Sequence, residues 1–157
     1  MVRRRRGPHP STAGTTVAAT GANQTSGAQD LLRLALGAGL VFAGVAHLTW
    51  ARSTFLAQVP GWVPVDGDLV VVVSGVAEIA LGGALVALSR HRVVVGWLTA
   101  AFFVAIFPGN ISQLVDRDPA FGLDTDAARA LRLLFQPVLV VLALWSTGAW
   151  SAWRSRS

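Results

Sequence analysis

Residues 69–88 read LVVVVSGVAEIALGGALVAL, a run of twenty residues in which Glu78 is the only charged side chain. About 20 consecutive apolar residues in a helix match the roughly 30 Å hydrocarbon core of a bilayer. Three further stretches meet the same criterion, and the four together are residues 31–50, 69–88, 93–114 and 130–150. The sequence therefore predicts an all-α fold, an integral membrane four-helix bundle.

The composition of the whole chain agrees with this prediction. Of its 157 residues, 53% are hydrophobic and 13% are charged, whereas soluble domains average about 25% charged residues. The basic residues are all arginines and lie in the tails and flanks around the apolar stretches, so we expect no binding to nucleic acid. The chain has no cysteine, which excludes disulfides, thiolate metal sites and iron–sulfur clusters.

The arginines also predict which way the helices run. When the four spans are placed across a membrane in alternating directions, most of the arginines that have no aspartates nearby lie on one side. They are at positions 3–6, 90, 92, 154 and 156. Positively charged short loops mark the cytoplasmic side of a membrane protein, so we expect both termini to be cytoplasmic. Residues 1–30 are small and polar without an apolar period and are predicted to form a disordered tail, and residues 151–157 a short second tail.

Proline and glycine predict how the helices bend and pack. Pro108-Gly109 should kink the third helix, and Pro137 should bend the fourth near its beginning, because proline removes a backbone donor. Small residues recur on one face of each of the first two helices, namely Gly37 and Gly44, then Gly75 and Gly82. Such spacing is typical of helices that approach closely.

Glu78 is the most informative residue of the sequence. It lies nine residues into its helix, which corresponds to a depth of about 14 Å, near the bilayer midplane. A bare carboxylate there costs on the order of a few kcal/mol, so the side chain should be protonated, paired or beside a wet cavity. Two interpretations stay open: a neutral Glu that specifies packing, or a group that accepts a proton or coordinates a cation.

Further polar residues are predicted to share one half of the bundle with Glu78. Because the helices alternate in direction, this half collects His47, Ser74, Glu78, Asn110, Gln113, Arg132 and Gln136. The other half is almost purely apolar, which predicts a polar pocket that opens on one side. Capping and snorkelling at helix ends would also explain the shallower members. One carboxylate and one imidazole are too few for a metal site, so none is expected.

The order and spacing of several short motifs resemble the DoxX-like family of small four-helix membrane proteins. The motifs are Gly44-Val45-Ala46-His47-Leu48, Val59-Pro60 with Val63-Pro64, Ser74-Gly75-Val76-Ala77-Glu78, Phe107-Pro108-Gly109-Asn110, and Leu131-Arg132-Leu133 with Gln136. The resemblance spans about residues 31–150. It implies a bundle in the bacterial plasma membrane with His47, Glu78, Asn110 and Gln136 as its polar signature.

The same resemblance implies a role beside quinone-linked redox enzymes rather than a reaction. We therefore expect an accessory membrane subunit whose pocket holds a quinone or similar molecule, with no intrinsic cofactor and with a membrane or redox protein as partner. A small proton-coupled transporter that uses Glu78, working as a homo-oligomer, is the first alternative. A structural protein without a ligand is the second. A stand-alone enzyme is not expected, because no complete catalytic set is visible.

Overall fold

The computed structural model describes residues 25–117 and 125–156, and most of the predicted N-terminal tail lies outside these ranges. The described chain is built from helices and contains no strand. In chain order they are α1 Gly27–Leu48, α2 Arg52–Leu56, α3 Gly67–Ala87, α4 Arg92–Ala105, α5 Phe107–Asp116, α6 Asp126–Ser146 and α7 Ala149–Arg154, with a 3-10 turn at Ser89–His91. Four helical segments are long and apolar enough to cross a membrane: α1, α3, Ser89–Asp116 and α6.

Two helices begin four residues before their predicted starts, because a capping side chain precedes each of them. Ser26 and Gln29 form a capping box, in which each side chain bonds the backbone N–H of the other residue, so α1 begins at Gly27. Residues 27–30, assigned from the sequence to the tail, are therefore helical. At α6 the hydroxyl of Thr125 accepts a hydrogen bond from the N–H of Ala128, and the helix begins at Asp126.

The C-terminal end of the fold differs from the sequence prediction. The last long helix ends at Ser146 rather than at residue 150, and Gly148 has a φ of 70°. This left-handed conformation, which glycine adopts without strain, separates α6 from the short helix α7. Ala149 and Ala152 of α7 are buried. Most of the predicted C-terminal tail is thus a packed helix.

The predicted kink at Pro108 is confirmed as a break. Proline has no N–H to continue the hydrogen-bond ladder, and the third apolar stretch divides into α4, ending at Ala105, and α5, beginning at Phe107. Pro137 lies inside α6, which continues through it from Asp126 to Ser146, so the bend predicted there does not break the helix.

The long helices form two antiparallel pairs. One pair is α1 with α3, and the other is α6 with α4 and α5. We call the end of the bundle that carries α2 the α2 end, and the opposite end, with Ser89–His91 and α7, the α7 end. The buried apolar core joins both pairs through Leu40, Leu85, Val95, Ala100, Phe103, Ala143, Leu144 and Ala149.

The α7 half of the bundle is more polar than the sequence predicted. Arg33, two residues after the predicted start of the first helix, is 6% exposed, and its guanidinium donates to the backbone oxygen of Leu85. Asp30 is 3.6 Å from the same guanidinium. Thr99, Ser146 and Thr147 are fully buried in this half as well. The expectation of an almost purely apolar half is therefore wrong, because polar side chains here are buried and two of them bond helix carbonyls.

The two buried threonines of this half allow a direct stability test. Both are 0% exposed, but Thr147 donates to the oxygen of Ala143 at 2.7 Å, whereas the hydroxyl of Thr99 has no partner among the described residues. Burying an unpaired hydroxyl costs about 1–3 kcal/mol. We expect Thr99→Val to raise the melting temperature in detergent and Thr147→Val to lower it. Equal decreases in both variants would show that Thr99 has a hydrogen-bond partner.

Candidate functional site

Glycine contacts set the position of the first two polar side chains. A Cβ atom added to Gly44 would lie 2.5 Å from the backbone oxygen of Gly75, and one added to Gly82 would lie 2.5 Å from that of Gly37. Helices α1 and α3 therefore touch backbone to backbone over two turns, as their glycine spacing predicted. The contact places His47, one turn after Gly44, against Glu78, one turn after Gly75.

His47 and Glu78 form a buried pair. The ring Nδ1 is 2.9 Å from Oε2 of Glu78, and the two side chains are 9% and 8% exposed. Nδ1 is also 2.9 Å from the backbone oxygen of Ala43. A ring nitrogen carries at most one hydrogen, so Nδ1 cannot donate to both oxygens at once. Glu78 Oε2 lies within ion-pair distance of the ring but makes no hydrogen bond to a described residue.

Asn110 and Gln136 form a second buried pair at the break between α4 and α5. The amide of Asn110 donates to Oε1 of Gln136 at 3.0 Å, and the amide of Gln136 donates to the backbone oxygen of Phe103 at 2.7 Å. Phe103 lies in the last turn of α4, where helix carbonyls begin to lose their partners. Gln136 thus satisfies a carbonyl of the interrupted helix and joins α6 to it.

The segment after α1 closes the α2 end and was missed by the sequence analysis. Phe55 of α2 stacks on His47 with ring centroids 3.3 Å apart and an interplanar angle of 18°. Gln58 donates to Oε1 of Gln113 at 2.8 Å, and a Cβ added to Gly109 would lie 2.9 Å from the Gln58 oxygen. The prolines of this loop were noticed in the sequence, but no pattern there indicated that Phe55 would cover His47.

A cavity of about 1210 Å³ lies between the two helix pairs in the α2 half of the bundle. Its walls come from α1, α2 with the loop that follows it, α3, α4, α5 and α6, and most of the lining side chains are apolar. Small-molecule sites commonly have about 300–1,000 Å³ and a few convergent polar groups. This cavity is large enough for a molecule with a polar head and a long apolar part.

The structure brings six of the seven predicted site residues to this cavity. The lining includes His47, Ser74, Glu78, Asn110, Arg132 and Gln136. Gln113 is 1% exposed and lies behind the wall, where it holds Gln58. No group of three or more His, Asp or Glu side chains within residues 25–117 and 125–156 is placed to hold a metal ion.

Charged residues at the α2 end pair across the helix starts. Arg52 binds Asp68 through two hydrogen bonds of 3.0 and 2.7 Å, and that carboxylate raises the pKa of Arg52, chiefly through hydrogen bonding. Arg129 is buried and binds Asp126 at 2.8 Å. Arg132, one turn further along α6, lines the cavity, whose wall therefore carries a guanidinium as well as the carboxyl of Glu78.

Comparison with known proteins adds a family but no activity. No curated protein and no solved structure matches the chain. Residues 36–147 match the sequence model of a family described as a domain of unknown function, DUF8561. The match runs from the third turn of α1 to the residue after α6 and includes both buried polar pairs. The chain therefore belongs to the DUF8561 family.

Proposed function

We propose that this protein is a multi-pass membrane protein that holds a small, lipid-soluble molecule in the cavity beside His47 and Glu78. Support for the membrane comes from the outer surface of the helices. In the most apolar stretch of each long helical segment, 22–33% of the residues are buried. Large apolar side chains point outward from every segment, among them Phe42, Val73, Val104 and Val141. Such a surface is stable in lipid and not in water.

The proposed orientation places the α7 end in the cytoplasm and the α2 end outside, across a bacterial plasma membrane. The arginines at positions 90, 92, 154 and 156 all belong to the α7 end. The arginines of the α2 end are accompanied by aspartates, as in the pair of Arg52 with Asp68. The positive-inside rule favours this direction.

One observation carries the ligand-binding part of the proposal. The cavity is walled mainly by apolar side chains, yet it contains a buried carboxyl oxygen, Glu78 Oε2, that no described residue satisfies. A buried polar atom without a partner costs free energy unless a water or a ligand provides one. A molecule with an apolar body and a polar head would supply both kinds of contact.

The finer part of the proposal is that the molecule is a quinone and that the protein is an accessory subunit of a redox system. Its support is the resemblance to DoxX-like proteins and the chemistry of the lining. Asn110 has a second amide hydrogen for a ring oxygen, and Glu78 would accept from the hydroxyl of the reduced form. The bound molecule would supply the electron chemistry, and the chain would orient it and exclude water.

The proposal is tested by purifying the protein in mild detergent and identifying retained small molecules by mass spectrometry. We expect wild type to retain a lipid-soluble molecule and Glu78→Gln to lose it at least tenfold, since about 1.4 kcal/mol corresponds to tenfold in affinity. Thr99→Val is the matched control, because it removes a buried polar group outside the cavity. A wild type without bound molecules, or equal retention in Glu78→Gln, would contradict the proposal.

A second candidate function is proton-linked transport, and the His47–Glu78 pair favours it. A carboxyl and an imidazole 2.9 Å apart can exchange a proton at the wall of a cavity. In liposomes a transporter would show flux driven by a pH gradient that Glu78→Gln abolishes. A purely structural Glu78 would instead show reduced abundance and no selective defect.

A further inference from the structure

The cavity opens sideways between α1 and α6. Several residues of these helices line the cavity and are also exposed on the outside of the bundle, including Ala35 and Gly39 of α1 and Leu131 and Phe135 of α6. A residue with both properties marks a mouth, and Val73 and Ala105 mark a second one between α3 and α4. Leu131 and Phe135 are 69% and 55% exposed, so this mouth faces the surroundings of the helices rather than a loop.

The shape of the mouth follows from side-chain size. Ala35, Gly39 and Ala43 line the cavity at four-residue intervals and therefore form one stripe along α1. Facing them, Leu131, Phe135 and Leu139 line the cavity at the same spacing along α6. The small stripe leaves a channel with one bulky apolar wall. At Gly39 the channel is empty, because a Cβ added there would meet no atom within 4 Å.

Glu78 is the polar group at the inner end of this channel, and it determines which end of a bound molecule lies there. Glu78 is 6% exposed, lines the same cavity, and has an oxygen without a partner among the described residues. A carboxylate oxygen accepts hydrogen bonds, so it selects a head group that carries an O–H donor.

We propose that the ligand is a single-chain lipid with a hydroxyl-bearing head, a class that includes a reduced quinone with one apolar chain, and that it enters from the bilayer between α1 and α6, with its head at Glu78 and its chain between Ala35–Ala43 and Leu131–Leu139. This inference rests on the proposed function and names the ligand class and its route. The apolar chain makes close van der Waals contacts with the wall, and the hydroxyl satisfies the buried oxygen.

The direct test uses tritiated 1-hexadecanol with a diazirine in its chain, irradiated with the full-length protein in liposomes. We expect crosslinks on residues 35–43 and 131–139 and saturation by unlabelled hexadecanol. The methyl ether of the same probe cannot donate a hydrogen bond, and its labelling should be about tenfold weaker because the bond to Glu78 is lost. Equal labelling by alcohol and ether would overturn the head-group assignment.

Substitutions at two glycines test the route. Gly39→Phe fills the channel and should reduce labelling at least tenfold, while Gly83→Phe is the matched control because Gly83 also has open space but does not line the cavity. Thermal melting verifies that both variants fold, and Gly39→Leu replaces the first variant if it does not.

The outcomes separate the inference from the proposed function. Labelling that depends on Glu78 but maps to Val73 and Ala105, on the side between α3 and α4, would overturn the route and leave ligand binding intact. A wild type that takes up no probe and retains no molecule on purification would overturn both.

Discussion

Gly82→Ala is expected to destabilise the bundle severely, whereas the same change at the next residue, Gly83→Ala, should leave it folded. A Cβ at position 82 would lie 2.5 Å from the backbone oxygen of Gly37 and 2.9 Å from the backbone nitrogen of Val41. Neither atom can move without shifting the whole of α1. At position 83 a Cβ meets nothing within 4 Å.

The two substitutions should change the free energy of unfolding in opposite directions. Overpacking costs about 1–3 kcal/mol in typical cores, and we expect Gly82→Ala to reach or exceed the upper value because a backbone is the obstacle. Gly83→Ala should gain up to about 1 kcal/mol from helix propensity. Unfolding of the purified protein in mixed micelles measures both. A Gly82→Ala protein as stable as wild type would show that α1 and α3 do not touch through their backbones.

Gly82→Ala should also disrupt the site formed by His47 and Glu78. Separation of α1 from α3 moves His47 away from Glu78, since both are placed by the Gly44–Gly75 contact. Any retained ligand should therefore be lost in Gly82→Ala even where the helices still form, as circular dichroism would report.

Gln136→Leu should produce the second large effect. The substitution removes the donor to the Phe103 oxygen and the acceptor of Asn110, both in buried surroundings. Each of the two groups left unpaired costs about 1–3 kcal/mol, so we expect a loss of about 2–6 kcal/mol. Melting in detergent measures this loss.

Gln29→Leu is the matched control for this change. Gln29 also donates to a backbone oxygen, that of Trp145 at 2.8 Å, but at an exposed position. Water replaces an exposed partner, so the loss should stay near or below about 1.5 kcal/mol even though a capping interaction is removed with it. Equal losses at the two positions would show that the break between α4 and α5 does not depend on Gln136.

Much of the candidate site could be anticipated because helix periodicity reports which side chains share a face. The glycine spacing of α1 and α3 and the location of Gln136 one turn after Arg132 follow from that rule, and the break at Pro108 follows from the missing proline N–H. The burial of Arg33 does not follow from periodicity, because a long side chain can turn inward to a carbonyl, here that of Leu85. Phe55 and Gln58 could not be found because a loop has no period from which a direction can be derived.

The sequence by itself determined that four long apolar helical segments form and roughly where each ends, because length, hydropathy and capping are local properties of the chain. The tertiary structure alone decided the register between helices. His47 meets Glu78 because two pairs of glycines interlock α1 with α3, and a shift of one turn, which the same periodicity allows, would separate them by about 5.4 Å. The cavity likewise depends on the space between the two helix pairs, which no single helix determines.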